Sequence, residues 1–550
     1  MASLLSRHAP TRFGAFYLAI AGLIVSVIGV GTSSAWWLAG VLAFGALTAL
    51  GIYDIVQRRR TVSRNYPILA HIRYFLESIG PEFRQYFIES DTDEAPFSRE
   101  QRSLVYRRAK STSDKKPFGS LRDMSAPGYE WMGPSLSPVD ITDHDFRIVV
   151  GEQRAHPYRA SVINISAMSF GALSPNAISA LNEGAREGGF YHTTGEGAIS
   201  PYHLRGGDLV WQIGSGYFGC RREDGGFDLE KFRHNARRDE VKMIEIKLSQ
   251  GAKPGHGGIL PGAKVTAEIA STRGVPEGQD VLSPSRHSAF STPCEMIHFI
   301  QQLRQLSGDK PVGIKLALGH PWEWFAIVKA MLECGDHPDY IVVDGGQGGT
   351  GAAPLEFINR LGMPLNDALV LVHNTLVGAG LRDDIRIAAS GKLISAFDIA
   401  RTLALGADWV NMARGFMFSL GCIQAQSCHN DQCPSGIATQ DKARGSRLDV
   451  DDKAVRVKNF HANTKFALCE MLEAAGLYHP NELGPEHIIR RLDNGKALPY
   501  ISLIDSLAPG ELLRGGAKDH PLYREFWDLA NANSFDAPDA LQSLRQTKLL

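Results

Sequence analysis

Neither sign of charge prevails in this chain: 58 Lys and Arg stand against 59 Asp and Glu. Nothing draws it in bulk to a polyanion, which excludes a general nucleic-acid-binding role. Cysteine is scarce as well. Seven among 550 residues cannot build a disulfide framework and suit a reducing compartment. No long low-complexity tract and no repeat of solenoid period occurs, which removes linker-like and array architectures. Charge is also missing locally, because no Asp, Glu, Lys or Arg lies between Arg12 and Asp54.

Inside that uncharged window are two apolar runs, Ala15 to Gly31 and Ala35 to Tyr53, separated by Thr32-Ser33-Ser34. Each is close to the roughly 20 residues that cross a bilayer as a helix. Arg7 and Arg12 precede the pair, and Arg58, Arg59 and Arg60 follow it. Positive flanks at both ends imply a transmembrane hairpin with both ends cytoplasmic. Trp36, Trp37 and Tyr53 sit where interfacial aromatics belong. A cleaved signal peptide or a buried core hairpin are the alternatives, and a second apolar run so close downstream argues against the first. The expected organisation is a hairpin with its flanks over 1–60, a polar arm over 61–148, a barrel with a cysteine loop over 149–445, and a helical extension over 446–550. Within the arm, Tyr106 to Ser120 reads as a basic surface segment.

From Val149 short apolar runs recur, beginning at Ser161, Gly189, Leu209, Lys242, Val312, Tyr340, Ile385 and Trp409. Segments of helical spacing separate them, as after Pro175, Cys294, Trp322 and Ile394. Such alternation predicts a parallel sheet with helices outside it, and eight units predict an α/β fold of the (β/α)8 TIM-barrel type. Polar and glycine residues cluster after these runs: Met168-Ser169, Glu196, Gln212, Lys247 and Gln250, Lys315, Asp344-Gly345-Gly346, Ser390-Gly391 and Arg414-Gly415. That edge is where barrel enzymes place their chemistry.

GQGGTG, Gly346 to Gly351, matches the dinucleotide pattern G-x-G-x-x-G, yet it follows about the sixth strand of eight and lacks the acidic residue on a next strand. In a barrel such a turn lets backbone amides approach a ligand. With the turns at Ser390 and Arg414 after the last two strands, it favours a phosphate-bearing cofactor over the barrel mouth, and FMN fits. Lys315 beneath a flavin would stabilise its reduced, anionic ring; a lysine paired inside the barrel is the plainer reading. Cys422, Cys428 and Cys433 are closely spaced, and soft thiolates suit iron–sulfur chemistry. The rival is zinc with His429 as fourth ligand, although its adjacency to Cys428 is poor spacing for a closed zinc site.

Glu245 to Val265, His192 to Gly197, Asp344 to Pro354 and the cysteine segment running into CPSGIATQD together resemble the FMN-binding synthase domain of glutamate synthases, in its short stand-alone form. The resemblance covers about residues 150 to 445. It implies a 3Fe–4S cluster on Cys422, Cys428 and Cys433. It implies FMN held by Ala167, Met168, Ser169, Gln212, Lys315, Gly345, Gly346, Ser390, Gly391, Arg414 and Gly415. Lys247, Gln250, Lys253 and Arg273 would bind the substrate, a dicarboxylate such as 2-oxoglutarate, and Glu196 and Lys253 are the general-acid candidates. The implied activity is that of an oxidoreductase on CH–NH2 donors, passing electrons through cluster and FMN to the imine of a 2-oxo acid and an amine.

Two departures bear on the substrate: the family pattern has Glu and Gln where this chain has His256 and Ile259. The chain opens MASLLSRHAP rather than with a cysteine nucleophile, so nitrogen is expected as ammonia, a small amine, or from a separate subunit. No ferredoxin-type cysteine run occurs, so a ferredoxin, a reductase subunit or the membrane pool is expected to supply electrons. The rival functions are a flavin oxidoreductase with another substrate and a membrane-tethered electron-transfer or 2-oxo-acid-sensing subunit.

Overall fold

The computed structural model describes residues 11–541 except 33, 58, 59, 89, 91, 93–95 and 516. Arg7, Ser33, Arg58 and Arg59 of the expected hairpin lie outside the described residues. The chain forms two compact units, one up to Asp91 and one from Thr92 onward.

In the first unit, α1 (Gly14–Thr32) and α2 (Trp37–Val56) pack on each other. Both are long and apolar enough to cross a membrane, with mean hydropathy 2.3 and 1.8. They touch through small residues: a Cβ on Gly22 would lie 2.6 Å from the ring of Phe44, the close approach that small residues permit between apolar helices. Their large side chains face outward, with Leu18, Ile24 and Leu42 exposed. A buried core hairpin would show the reverse. After a short helical turn, Thr61–Asn65, comes α3 (Leu69–Phe83).

The second unit opens with α4 (Arg99–Ala109), whose Ser98 and Gln101 form a capping box. Tyr106 to Ala109, expected in a surface arm, are instead its last turn, and Arg108 and Ala109 are buried. The chain then builds eight parallel strands: β1 (Ile163–Ile165), β2 (His192–Thr193), β3 (Leu209–Ile213), β4 (Val241–Lys247), β5 (Val312–Leu316), β6 (Tyr340–Asp344), β7 (Arg386–Ser390) and β8 (Trp409–Met412). β8 pairs back onto β1, with Val410 opposite Ile163, so the sheet closes as a TIM barrel. Seven of these strands lie within the runs read from the sequence, and β4 starts one residue ahead of its run.

Strand alternation sorts the side chains. Outward residues meet the helical layer, including α5 (Pro175–Gly188), which is started by the Ser174 cap and Pro175 and stopped at the left-handed Gly189. Inward residues at the amino ends of the strands form a separate plug of Tyr191, Val210, Met243, Tyr340, Ala388 and Trp409. Its polar atoms satisfy one another: Trp409 Nε1 donates to Tyr191 Oη at 2.7 Å, and Tyr191 Oη donates to Asn411 Oδ1 at 2.6 Å. The antiparallel pair 147–150 and 158–161 adds Val150 and Ala160 beneath.

The region beyond the barrel does not stand apart from it. Helix α6 (Val450–Ala475) packs along α5 and α4, and its buried His461 Nε2 lies 2.9 Å from Ser161 Oγ. Residues Glu130–Met132 pair with Ile488–Arg491, which pair with Ala497–Pro499.

Candidate active site

The carboxyl ends of the strands open into a cavity of about 860 Å3, within the roughly 300–1,000 Å3 of small-molecule clefts. The first two wall segments come from the loops after β1 and β2, which present Ala167, Met168, Ser169 and Glu196. Gln212, Lys247, Lys315, Asp344 and Ser390 line it from strand ends, and Gln250, Lys253, Gly391 and Arg414 from the turns after them. Arg273 reaches it from the inserted helix Ala267–Arg273, and the loop after β8 supplies Cys422, Cys428 and Cys433.

Three residues expected at the cofactor do not line the cavity. Gly345 donates its N–H to Ser390 O at 2.9 Å, and Gly346 donates to Met363 O at 2.8 Å, so neither amide is free for a ligand. The tight turn packs against Gly251, where a Cβ would come within 1.8 Å of Gly345 O. Gly415 is buried in the short helix after β8. The later half of the glycine motif, Gly348 to Gly351, is the part that reaches the cavity.

Charge is divided along the walls. Glu196 lies 3.1 Å from Lys247. Burial favours its neutral acid, but Lys247, then Arg273 and Lys253, overcome this and hold its pKa below the usual carboxyl value. Burial lowers the pKa of Lys253, and the neighbouring Lys247 adds to this. Among the described residues Lys253 has no salt-bridge partner. Arg273 donates from Nη2 to Phe170 O at 2.8 Å, while its buried Nε–H has no partner. Burial brings its pKa down to about 10, with Glu196 opposing, so it remains cationic at neutral pH.

On the strand beside Lys247, in register with it, Lys315 Nζ sits 3.5 Å from Asp344 Oδ2, and Gln212 Nε2 donates to the buried Glu245 Oε1. Arg414 donates to Gln347 O at 2.6 Å and lies 4.7 Å over the ring of Phe97. Burial lowers its pKa to about 10 as well.

The cysteine loop is locally strained and externally braced. Gln424, Gln426 and Asp431 all take positive φ, near 59°, 54° and 64°, a region non-glycine residues occupy only when their surroundings hold them there. Gln424 exchanges side-chain hydrogen bonds with both backbone groups of Phe97, and Tyr106 Oη donates to Cys422 O at 2.6 Å. Lys264 Nζ donates to Cys428 O at 2.9 Å and lies 3.8 Å from Asp431. Burial raises the Cys422 thiol to about 12 and raises Cys428. Cys433 is held below the usual thiol value: burial works against this, but the Ser435 hydroxyl at 3.3 Å and several backbone amides outweigh it. Among the described residues no three His, Cys, Asp or Glu side chains converge as a single metal ion requires.

Phe97 and Lys264 were not among the expected site residues. Lys264 stands inside the recognisable Glu245–Val265 stretch, so its position was available as a signal; Phe97, in a polar arm, carried none.

The family model for the conserved region in glutamate synthase matches residues 138–478. The chain belongs to the glutamate synthase family. It is 39% identical to the glutamate synthase large subunit-like protein YerD of Bacillus subtilis over 509 residues, 84% of this chain and 97% of that protein. It is 38% identical to an archaeal glutamate synthase (NADPH) of Methanocaldococcus jannaschii, covering 57% of this chain and 59% of that one. Against the glutamate synthase (NADPH) large chain of Azospirillum brasilense identity is 32%, and the alignment covers 74% of this chain but 26% of that chain. These relatives thus match this chain over nearly their whole length or over only a part of it.

Proposed function

We propose that this member of the family is a membrane-tethered oxidoreductase that joins a 2-oxo acid, in the first instance 2-oxoglutarate, to ammonia or an amine. The observation that carries this reading is the grouping of Lys247, Lys253 and Arg273 around Glu196 in a cavity that also holds Lys315, Arg414 and three thiols. A dicarboxylate asks for several cations, and the unpartnered Nε–H of Arg273 is a donor waiting for one carboxylate.

The donor set also fits the two groups the family implies. Ala167, Met168 and Ser169 would border a flavin ring, Lys315 would lie near it, and Ser390, Gly391 and Arg414 would face its phosphate. Cys422, Cys428 and Cys433 would hold a 3Fe–4S cluster, because each thiolate meets a different iron and the three need to surround a volume rather than meet at a point. FMN would supply the hydride, and the cluster a one-electron path to it from a separate donor.

The residues around the substrate then divide the work. Arg273 holds carboxylate, and Lys247 keeps Glu196 ionised. An ionised Glu196 cannot donate a proton, so of the two acid candidates Lys253, with its lowered pKa and no ion-pair partner, is the one suited to protonate the substrate. Glu196 would position the cations or accept a proton from the incoming amine. The outward apolar surfaces of α1 and α2 support the tether.

Ile259 favours a second reading of the substrate. It lines the cavity, is 45% exposed, and neighbours Leu355 and Ile358 in that lining. An apolar arm on the 2-oxo acid or the amine would cover it.

The test is anaerobic purification of the full chain in detergent with flavin and iron quantified. One FMN and about three irons per chain, as three thiolates imply, followed by oxidation of the reduced protein that needs both 2-oxoglutarate and ammonia or an amine, is the expected result. Reoxidation by a quinone with no need of either substrate would replace the synthase reading with an electron-transfer role.

A further inference from the structure

Among the described residues, α3 has an apolar face that stays largely uncovered. Positions 69, 72, 76, 79 and 83 recur every three or four residues and form one stripe along the helix. Leu69, Ile72, Phe75, Leu76, Phe83 and the following Phe87 are between 46% and 76% exposed. The opposite side is polar and engaged: Arg73 pairs with Glu77 at 2.7 Å, and Arg60 lies 4.7 Å over Tyr74. A helix in water does not leave six large apolar side chains on one face without a partner.

Its attachment says what that partner is. Asp54, in the last turn of α2, is buried and accepts from Ile68 N at 2.9 Å, with His71 Nε2 2.9 Å from its other oxygen. The start of α3 is thereby fixed to the end of the second apolar helix, at the level where that helix stops being apolar. Arg64 Nε donates to Ile55 O at 3.3 Å at this junction, Arg60 precedes α3, and Arg73 and Arg84 lie within it and just past its end. An amphipathic helix held at the end of a spanning helix and flanked by arginines has the chemistry of the headgroup–acyl boundary.

We propose that α3 lies in the membrane interface with Leu69, Ile72, Leu76 and Phe83 in the acyl region, forming a third contact with lipid beyond the hairpin. This rests on the membrane reading of α1 and α2. The full-length chain is reconstituted into vesicles of equal parts phosphatidylcholine and phosphatidylglycerol, as Leu76→Cys or Ser78→Cys carrying an environment-sensitive dye, with unmodified chain treated alike as background. Ser78 is exposed and faces away from the stripe, so neither label disturbs packing.

With the vesicles floating the protein, the dye at 76 should be quenched by lipids spin-labelled high on the acyl chain and shielded several-fold from iodide, and the dye at 78 should not. Equal iodide access at both positions in floated protein would overturn the placement of α3 while leaving the hairpin intact. Shielding at 76 without lipid quenching would assign the face to a second copy of the chain and overturn it too. Failure of the protein to float would overturn both readings together.

Discussion

The two ends of the barrel are made by the same eight strands and hold opposite contents. At the base, Tyr191, Tyr340 and Trp409 are buried among Val210 and Met243, and the plug's hydrogen bonds close on themselves. At the mouth, Glu196, Lys247, Lys253, Arg273, Lys315 and Arg414 share a cavity, and the buried Arg273 Nε–H is without a partner among the described residues. The base spends its polar atoms on itself and specifies the closed sheet; the mouth leaves them for a guest. Stability and function are thus separated by the length of a strand.

The largest expected separation is at the mouth. Cys433→Ser should abolish iron binding and substrate-dependent turnover of electrons while the thermal midpoint stays close to that of iron-free wild type; iron retained at three per chain, counted chemically, would break the assignment of that thiol. Next is Arg273→Ala. Loss of a charge-assisted hydrogen bond costs ~1.5–3 kcal/mol, so apparent affinity for 2-oxoglutarate should weaken by roughly ten- to a hundredfold. Arg273→Lys should recover part of it; equal loss for monobasic and dibasic oxo acids would put the contact on the carboxylate they share, and unchanged affinity for both would remove it.

A pH experiment sharpens the same wall. Glu196 has a depressed pKa, so its ion pair is present above the ordinary carboxyl value and is lost as pH falls through the depressed one. Lys247→Met removes its strongest counter-charge but leaves the burial. The acid limb of the pH profile should therefore move to higher pH, and an unmoved limb would show that Glu196 does not control it.

At the base, Tyr191→Phe leaves the buried Trp409 Nε1 without its acceptor, at about 1–3 kcal/mol. Thermal unfolding should come earlier, with the affinity for 2-oxoglutarate unchanged; a matching loss of affinity would erase the distinction between the two ends. Smallest is Thr292→Ala, which removes a capping box on the helix Pro293–Ser307 outside the barrel. Its cost of ~1 kcal/mol should appear in denaturant unfolding and nowhere in ligand binding.

The strands were legible because each is a short apolar run ended by glycine or polar residues, a pattern that needs no distant partner to be seen. The same holds for the three closely spaced thiols and for the two uncharged runs. What escaped depends on neighbours far along the chain. Gly345 and Gly346 look available in a glycine-rich turn until Ser390 O and Met363 O take their amides. Phe97 acquires a place at the cavity only because Gln424, remote in sequence, binds both its backbone groups. The stripe of α3 was obscured by the arginines and glutamates interleaved with it, so the segment read as merely polar and basic.

The small sheet that joins Glu130–Met132 to Ile488–Arg491 and Ala497–Pro499 imposes an order on biosynthesis. Trp131 waits for Ile489, its partner in register, while the entire barrel emerges between them. At ~5–20 residues per second that interval is on the order of tens of seconds, during which the first strand is an unpaired edge on the ribosome. Being only three residues long, it offers a passing chain little to zip onto, which is the cheapest protection an early strand can have.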